Sequence, residues 1–133
     1  MLRALLSFPE LVFEIDVDGS KEFASDIEDL RKGKLLVLTI QQCSNNKQKI
    51  VNLIASNIPE GDFYSKNSQQ LTIALSPEAF EHLIFKLNEL SDLGGFSTPE
   101  FYEFHAVDKE RRPIPKAKTL RTFLSKSQSA NES

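Results

Sequence analysis

Residues 71–90 read LTIALSPEAFEHLIFKLNEL and join an apolar, strand-like run to an amphipathic helix. Ser76 is a good N-cap because its hydroxyl can accept a hydrogen bond from an orphan amide of the first turn. Pro77 suits the first helical position, which needs no amide donor, and Glu78 places negative charge at the positive end of the helix dipole. The pattern predicts a helix over 77–92, with one apolar stripe formed by Phe80, Leu83, Ile84, Leu87 and Leu90.

A similar strand and helix are predicted near the start of the chain. Residues 11–18, LVFEIDVD, alternate between apolar and acidic side chains, which indicates a half-buried strand with a wet outer face. Ser20 can cap a helix over 21–32, and Gly33 is a suitable stop. The two predicted helices share the spacing Phe-x3-Ile-x2-Leu, which indicates either an internal repeat or shared packing demands; its residues are Phe23, Ile27, Leu30, Phe80, Ile84 and Leu87.

Three further strands are predicted, over 35–42, 49–56 and 101–107. A short helix is the alternative over 49–56, but β-branched residues and the preceding turn favour a strand. The resulting order is β-α-β-β-β-α-β. It predicts an α+β fold in which two amphipathic helices cover one face of a mainly antiparallel sheet of four to five strands. If 49–56 is not a sheet strand, the order becomes ferredoxin-like.

Size and composition predict one globular domain. The chain has 133 residues, of which 40% are hydrophobic and 26% charged. Its single cysteine, Cys43, cannot form an internal disulfide, which favours a reducing compartment. No apolar run approaches the ~20 residues that span a bilayer, and the N-terminus lacks the pattern of a signal peptide. We therefore expect a cytoplasmic protein without a membrane partner.

Charge divides the chain into an acidic body and a basic end. Residues 1–107 contain 16 acidic and 9 basic side chains, net −7, whereas residues 108–133 contain 3 and 7, net +4. We expect a single domain over 1–107, then a flexible basic arm with a disordered tail over 108–133 and at most one docked helical turn. The arm could contact nucleic acid through Lys109, Arg111, Arg112, Lys116, Lys118 and Arg121.

Acidic side chains on the predicted sheet are the candidate binding residues. Glu14, Asp16 and Asp18 would share one face of the first strand, about 7 Å apart. Glu103 and His105 would share a face of the last strand. A solvated sheet face is the plainer interpretation of these groups. The functional interpretation is a recognition surface for a basic protein partner.

Catalytic and metal-binding patterns are weak. His82 has Glu78 and Lys86 four residues away on either side, which fits an oriented general base, but also a surface histidine with charged neighbours. His105 and Cys43 lack the spacing of a metal site, and no phosphate-binding glycine motif occurs. We therefore expect no metal and no cofactor.

The unit LTIALSPEAFEHLIFKLNELSDL, followed by FYEFHAV, resembles the strand–Ser-Pro-Glu–helix–strand module of small bacterial immunity proteins. The resemblance covers about a third of the chain. It implies a protein that binds and neutralises a toxin without catalysis. The N-terminal half and the basic arm have no counterpart in that module, and no binding residues of the family carry over.

The sequence therefore predicts a non-catalytic interaction domain whose acidic sheet face binds a basic protein. One alternative is a nucleic-acid-binding protein that uses the basic arm. Another is a small enzyme with His82 or His105 in a cleft. A homodimer is also predicted, since the arm of one subunit could lie on the acidic body of the other.

Overall fold

A computed structural model describes residues 2–42, 48–56, 62–67 and 69–127 of the chain. Within these ranges the chain forms eight strands and two helices. In chain order they are β1 (Leu2–Ser7), β2 (Glu10–Ile15), α1 (Val17–Leu30), β3 (Leu36–Gln42), β4 (Gln48–Ala55), β5 (Phe63–Lys66), β6 (Gln70–Leu75), α2 (Pro77–Leu93), β7 (Glu100–Ala106) and β8 (Leu120–Lys126).

The strands form one mixed sheet that closes on itself in the order β1-β2-β8-β7-β5-β6-β4-β3. Each of the pairs β1–β2, β3–β4, β5–β6 and β7–β8 is antiparallel. The pairs β1–β3, β2–β8, β4–β6 and β5–β7 are parallel. The predicted sheet of four to five mainly antiparallel strands, including its ferredoxin-like variant, is therefore wrong. The sheet closes only because these four parallel pairs join segments that are distant in the sequence.

The closed sheet is built from two halves with the same element order. One half is β1-β2-α1-β3-β4 and the other is β5-β6-α2-β7-β8. The last strand of each half pairs with the other half, β4 with β6 and β8 with β2. Equivalent hydrogen bonds follow these strands, since Ser56 N–H donates to the Leu75 carbonyl at 2.8 Å and Ser127 N–H donates to the Ile15 carbonyl at 2.9 Å.

The first helix begins earlier than the sequence pattern predicts. Asp16 is the N-cap of α1, and its carboxylate accepts a hydrogen bond from Gly19 N–H at 2.6 Å. Ser20 is instead buried inside the helix, where its hydroxyl donates to the Val17 carbonyl at 2.7 Å. The predicted cap at Ser20 and helix start at residue 21 are therefore wrong by one turn.

The second helix follows the prediction closely. Ser76 caps α2 by accepting a hydrogen bond from Ala79 N–H at 3.2 Å. Gly94 ends it in the left-handed region, at φ 80°, and donates to the Leu90 carbonyl at 2.9 Å. Because Asp16 and Ser76 occupy the same place in the two halves, Phe23 is equivalent to Leu83 and not to Phe80. The two halves thus share an element order, whereas the helix alignment taken from the Phe-x3-Ile-x2-Leu spacing is wrong by one turn.

Both helices cover the same end of the closed sheet. The strand pairings make β2 and β6 run in the same direction, so α1 and α2 start at one end, where they pack against each other. Their apolar stripes join the inward side chains of the strands in a single core; its largest fully buried members are Tyr64, Phe23, Phe104, Leu11, Ile15, Ile27, Leu30, Leu53, Leu71, Ile73 and Leu75. Across the described ranges, neither helix has the length and apolar character needed to cross a membrane.

Three strands were absent from the predicted order, namely β1, β5 and β8, whereas the strand interpretation of 49–56 is confirmed by β4. The presence of β8 extends the domain beyond the predicted boundary at residue 107. Residues 120–126 lie between β2 and β7 in the sheet, with Leu120 and Leu124 in the core. The predicted flexible arm with one docked helical turn is therefore wrong over this segment.

A bulge in β7 is closed by a side chain of β8. The pairing of the two strands shifts between Glu100 and Glu103. Thr122 is buried there, and its Oγ1 accepts a hydrogen bond from Tyr102 N–H at 3.1 Å and donates to the Tyr102 carbonyl at 2.6 Å. The hydroxyl thus satisfies the two backbone groups that the bulge removes from the ladder.

Candidate functional site

The three acidic residues predicted to line one strand face occupy three different settings. Glu14 lies on β2, half-buried, with its carboxylate 2.9 Å from the Arg3 guanidinium. Asp16 caps α1, and Asp18 lies in the first turn of that helix. The predicted stripe is therefore divided, because the strand ends at Ile15.

The two predicted binding residues of the last strand are exposed on β7. Glu103 lies opposite Arg121 of β8, and His105 lies opposite Phe63 of β5. Since β8 separates β7 from β2, a basic side chain lies between these groups and Glu14. The outer face of the sheet has no continuous acidic surface across these three strands.

The predicted arm residues divide between β8 and the β7–β8 connection, which we define as residues 107–119. Arg121 is on β8, with its guanidinium 3.8 Å from the Glu10 carboxylate. Arg112 forms ion pairs with Asp108 at 2.9 Å and Glu110 at 2.6 Å. The remaining residues of the predicted arm lie exposed on the connection, and they are Lys109, Arg111, Lys116 and Lys118.

A cleft of about 580 Å³ lies between the β7–β8 connection and the outer face of the sheet at β5 and β7. Two other cavities in the described part of the chain have volumes of only about 190 and 210 Å³. A volume of about 300–1,000 Å³ is typical of sites for small organic molecules. The cleft is lined by Phe63 and His105 on the strands and by Val107, Arg111, Ile114 and Thr119 on the connection.

The connection is held in place by a backbone hydrogen bond to β7 and by a side-chain hydrogen bond from β5. Ile114 N–H donates to the Ala106 carbonyl at 3.1 Å, and Val107 pairs with Pro113. At the other end, the buried Tyr64 hydroxyl donates to the Lys118 carbonyl at 2.5 Å. The wall of the cleft is therefore a fixed part of the fold.

A tight turn shapes the mouth of the cleft. The Asp108 carboxylate accepts hydrogen bonds from the backbone N–H groups of Arg112 and Glu110, each at 2.9 Å. These bonds, that of Arg112 first, outweigh desolvation and lower the pKa of Asp108. The turn places Arg111 at φ 63°, in the left-handed region that non-glycine residues seldom adopt.

Arg111 reaches over an aromatic side chain inside the cleft. Its Cζ lies 5.6 Å from the centroid of the Phe63 ring, a cation–π arrangement. Because Phe63 and His105 are paired on neighbouring parallel strands, their side chains leave the same face of the sheet side by side. The cleft therefore brings together a guanidinium, an imidazole and a flat apolar ring.

His82, the other catalytic candidate, lies elsewhere. Its ring stacks on Phe101 with centroids 5.7 Å apart and an interplanar angle of 9°. Burial lowers the pKa of His82, the positive charge of Lys86 adds to this effect, and Glu78 opposes it. The aromatic group around His82 also contains Tyr102, whose ring centroid lies 6.0 Å from that of His82.

Lys86, beside His82, supports the loop after α2. It is 3% exposed, and its amino group donates to the Thr98 carbonyl at 2.6 Å and to Thr98 Oγ1 at 3.1 Å. Burial lowers the pKa of Lys86. These contacts give the lysine a structural role.

Cys43 lies outside the described residues. In the ranges that the structure describes, no three His, Cys, Asp or Glu side chains converge as a metal site would require. The sequence interpretation named His105 and Arg111 but missed Phe63 and Ile114. The only sequence signal for Phe63 was the aromatic pair Phe63-Tyr64 that follows the turn residues Pro59 to Asp62.

Comparison of the sequence with protein-family models gives no match, and comparison with curated proteins gives no match either. The resemblance to immunity proteins therefore stays a prediction.

Proposed function

We propose that this domain acts by binding a small organic molecule in the cleft between the β7–β8 connection and strands β5 and β7. The volume of the cleft carries this proposal, since about 580 Å³ accommodates a molecule of metabolite size. The hydrogen bonds that fix the connection support it further, because a preformed site loses little conformational entropy on binding.

Binding without catalysis is the form of activity that we propose. A histidine base would need an orienting partner and a nucleophile or substrate within hydrogen-bond distance. His105 is exposed at the cleft, beside Phe63 and Arg111, and this group suits recognition. We place the protein in the cytoplasm, as the single cysteine and the composition predicted.

An NMR fragment screen tests the proposal. Uniformly ¹⁵N-labelled protein is titrated with fragments of varied charge, and the amide signals of Val107, Ile114 and Thr119 report on the cleft. We expect a subset of fragments to shift these three signals in a saturable way. Ile114→Glu places a charge in the apolar wall and should abolish the shifts, whereas Lys109→Gln, on the same connection, should retain them. A screen in which no fragment moves these amides would reject the proposal.

A second candidate keeps the predicted basic protein partner but moves the contact from the sheet to α1. Burial raises the pKa of Asp26, and the negative charges of Glu22 and Asp29 raise it further. A cationic side chain of a partner would relieve this repulsion. Binding of an oligolysine peptide that is weakened by Glu22→Gln and by salt, but not by Glu103→Gln, would support this candidate. Equal loss in both variants would contradict it.

A further inference from the structure

We propose that the ligand of the cleft is a small organic anion with a flat apolar ring. Its ring would lie against Phe63 and Ile114, and its anionic group would face Arg111 and His105. This inference rests on the proposed function and specifies the chemical class of the ligand.

The charge available in the cleft is positive. Among the described residues, no carboxylate lies within ion-pair distance of Arg111, whereas its neighbour Arg112 is paired with Asp108 and Glu110. The carboxylate that lines the cleft, that of Asp62, is 9% exposed and accepts a hydrogen bond from Ser76 N–H at 2.8 Å. The guanidinium of Arg111, with its five N–H donors, would therefore be available to an incoming anion, since Arg112 engages Asp108 and Glu110, and Asp62 is already hydrogen-bonded.

The apolar surface of the cleft suits a ring. Phe63 is half-buried on the sheet side, and Ile114, 45% exposed, lies on the connection. Val107 also lines the cleft. Aromatic rings pack well in offset or edge-to-face contact with phenylalanine, so a flat ligand would make favourable apolar contacts with both walls of the cleft.

The backbone at Arg111 fits a binding role. A left-handed conformation at an arginine is energetically unfavourable relative to a right-handed one. The Asp108 turn holds that conformation and directs the side chain over Phe63. Strained backbone that is fixed by surrounding bonds occurs preferentially where a side chain must be held for a ligand.

Three probes that share one ring system test the inference: 2-naphthoate, 2-naphthamide and 2-naphthylmethylamine. Dissociation constants are measured by calorimetry and by the shifts of the Val107 and Ile114 amides at low salt. We expect naphthoate to bind about tenfold more tightly than the amide, because its carboxylate would accept a charge-assisted hydrogen bond from Arg111. Arg111→Gln should bring naphthoate to the affinity of the amide, whereas Lys109→Gln, which removes the same charge from the same turn, should leave the difference intact.

The outcomes separate this inference from the proposed function. If the amide binds as tightly as naphthoate, the cleft is a binding site but the anion inference is wrong. If the amine binds most tightly, the Asp62 carboxylate governs the site and the inference is again wrong. If naphthoate retains its advantage in Arg111→Gln protein whose amide spectrum shows an intact fold, the guanidinium is not the recognition group. Phe63→Leu should weaken all three probes to a similar extent, and a loss confined to naphthoate would contradict the role of the ring.

Discussion

Substitution of Leu124 by alanine tests whether β8 belongs to the core. Leu124 is 1% exposed and is paired with Phe13 in the parallel ladder between β8 and β2. The change removes three buried carbon atoms, worth about 2.4 kcal/mol at about 0.8 kcal/mol each. The cavity that remains adds to this loss, so we expect a decrease of about 2.5–4 kcal/mol in the free energy of unfolding. For a chain of this length that corresponds to a Tm lower by about 10–15 °C.

Urea denaturation followed by far-ultraviolet circular dichroism measures this free energy. Ser125→Ala is the matched control, because Ser125 is the exposed neighbour on the same strand and its loss should change stability by less than about 0.5 kcal/mol. If Leu124→Ala falls within the same limit, with an unchanged m-value, then residues 120–126 are a loosely attached arm and the closed sheet is refuted.

Three further predictions concern the helix end, the bulge and the cleft turn. Gly94→Ala should cost about 1 kcal/mol, because φ is 80° there. Gly95→Ala should cost less, because an added Cβ meets open space at both glycines but only Gly94 has a positive φ; equal costs in urea denaturation would refute the explanation. Thr122→Val leaves the Tyr102 N–H and carbonyl unpaired and should lower the free energy of unfolding by about 1–3 kcal/mol. Thr39→Val, at an exposed position of β3, should be near neutral in the same urea denaturation assay. An NMR titration should give Asp108 a pKa below 3.8, chiefly because its carboxylate accepts the Arg112 backbone hydrogen bond. Because the folded-state pKa is lowered, the turn should loosen as pH falls through that pKa. A titration midpoint above 3.8 would contradict the geometry.

Local signals predicted α2 almost to the residue, because Ser76, Pro77 and Gly94 act through their own backbone neighbours. The start of α1 was harder to predict. Asp16 and Ser20 are both good capping residues, and the choice between them depends on where β2 leaves the sheet. Propensity alone could not decide this, since tertiary pairing ends the strand at Ile15.

The alternation needed to recognise β8 was present in LRTFLSK, where Leu120, Thr122 and Leu124 point inward. It was outweighed by the two prolines and the dense positive charge of the preceding segment, which are typical of a solvated tail. The cleft could not be predicted for a related reason. Its side chains meet only because β5 pairs with β7, a contact between segments some 40 residues apart that no local pattern specifies.

The pairing of β4 and β8 with strands of the other half has a consequence for synthesis on the ribosome. The β1–β2 hairpin and α1 are synthesised before the second neighbour of β2, because that neighbour is β8. The edge of β2 that faces β8 therefore stays open until residues 120–126 have been synthesised. Two separately expressed fragments cut between β4 and β5 should each stay incomplete and should complement one another when mixed.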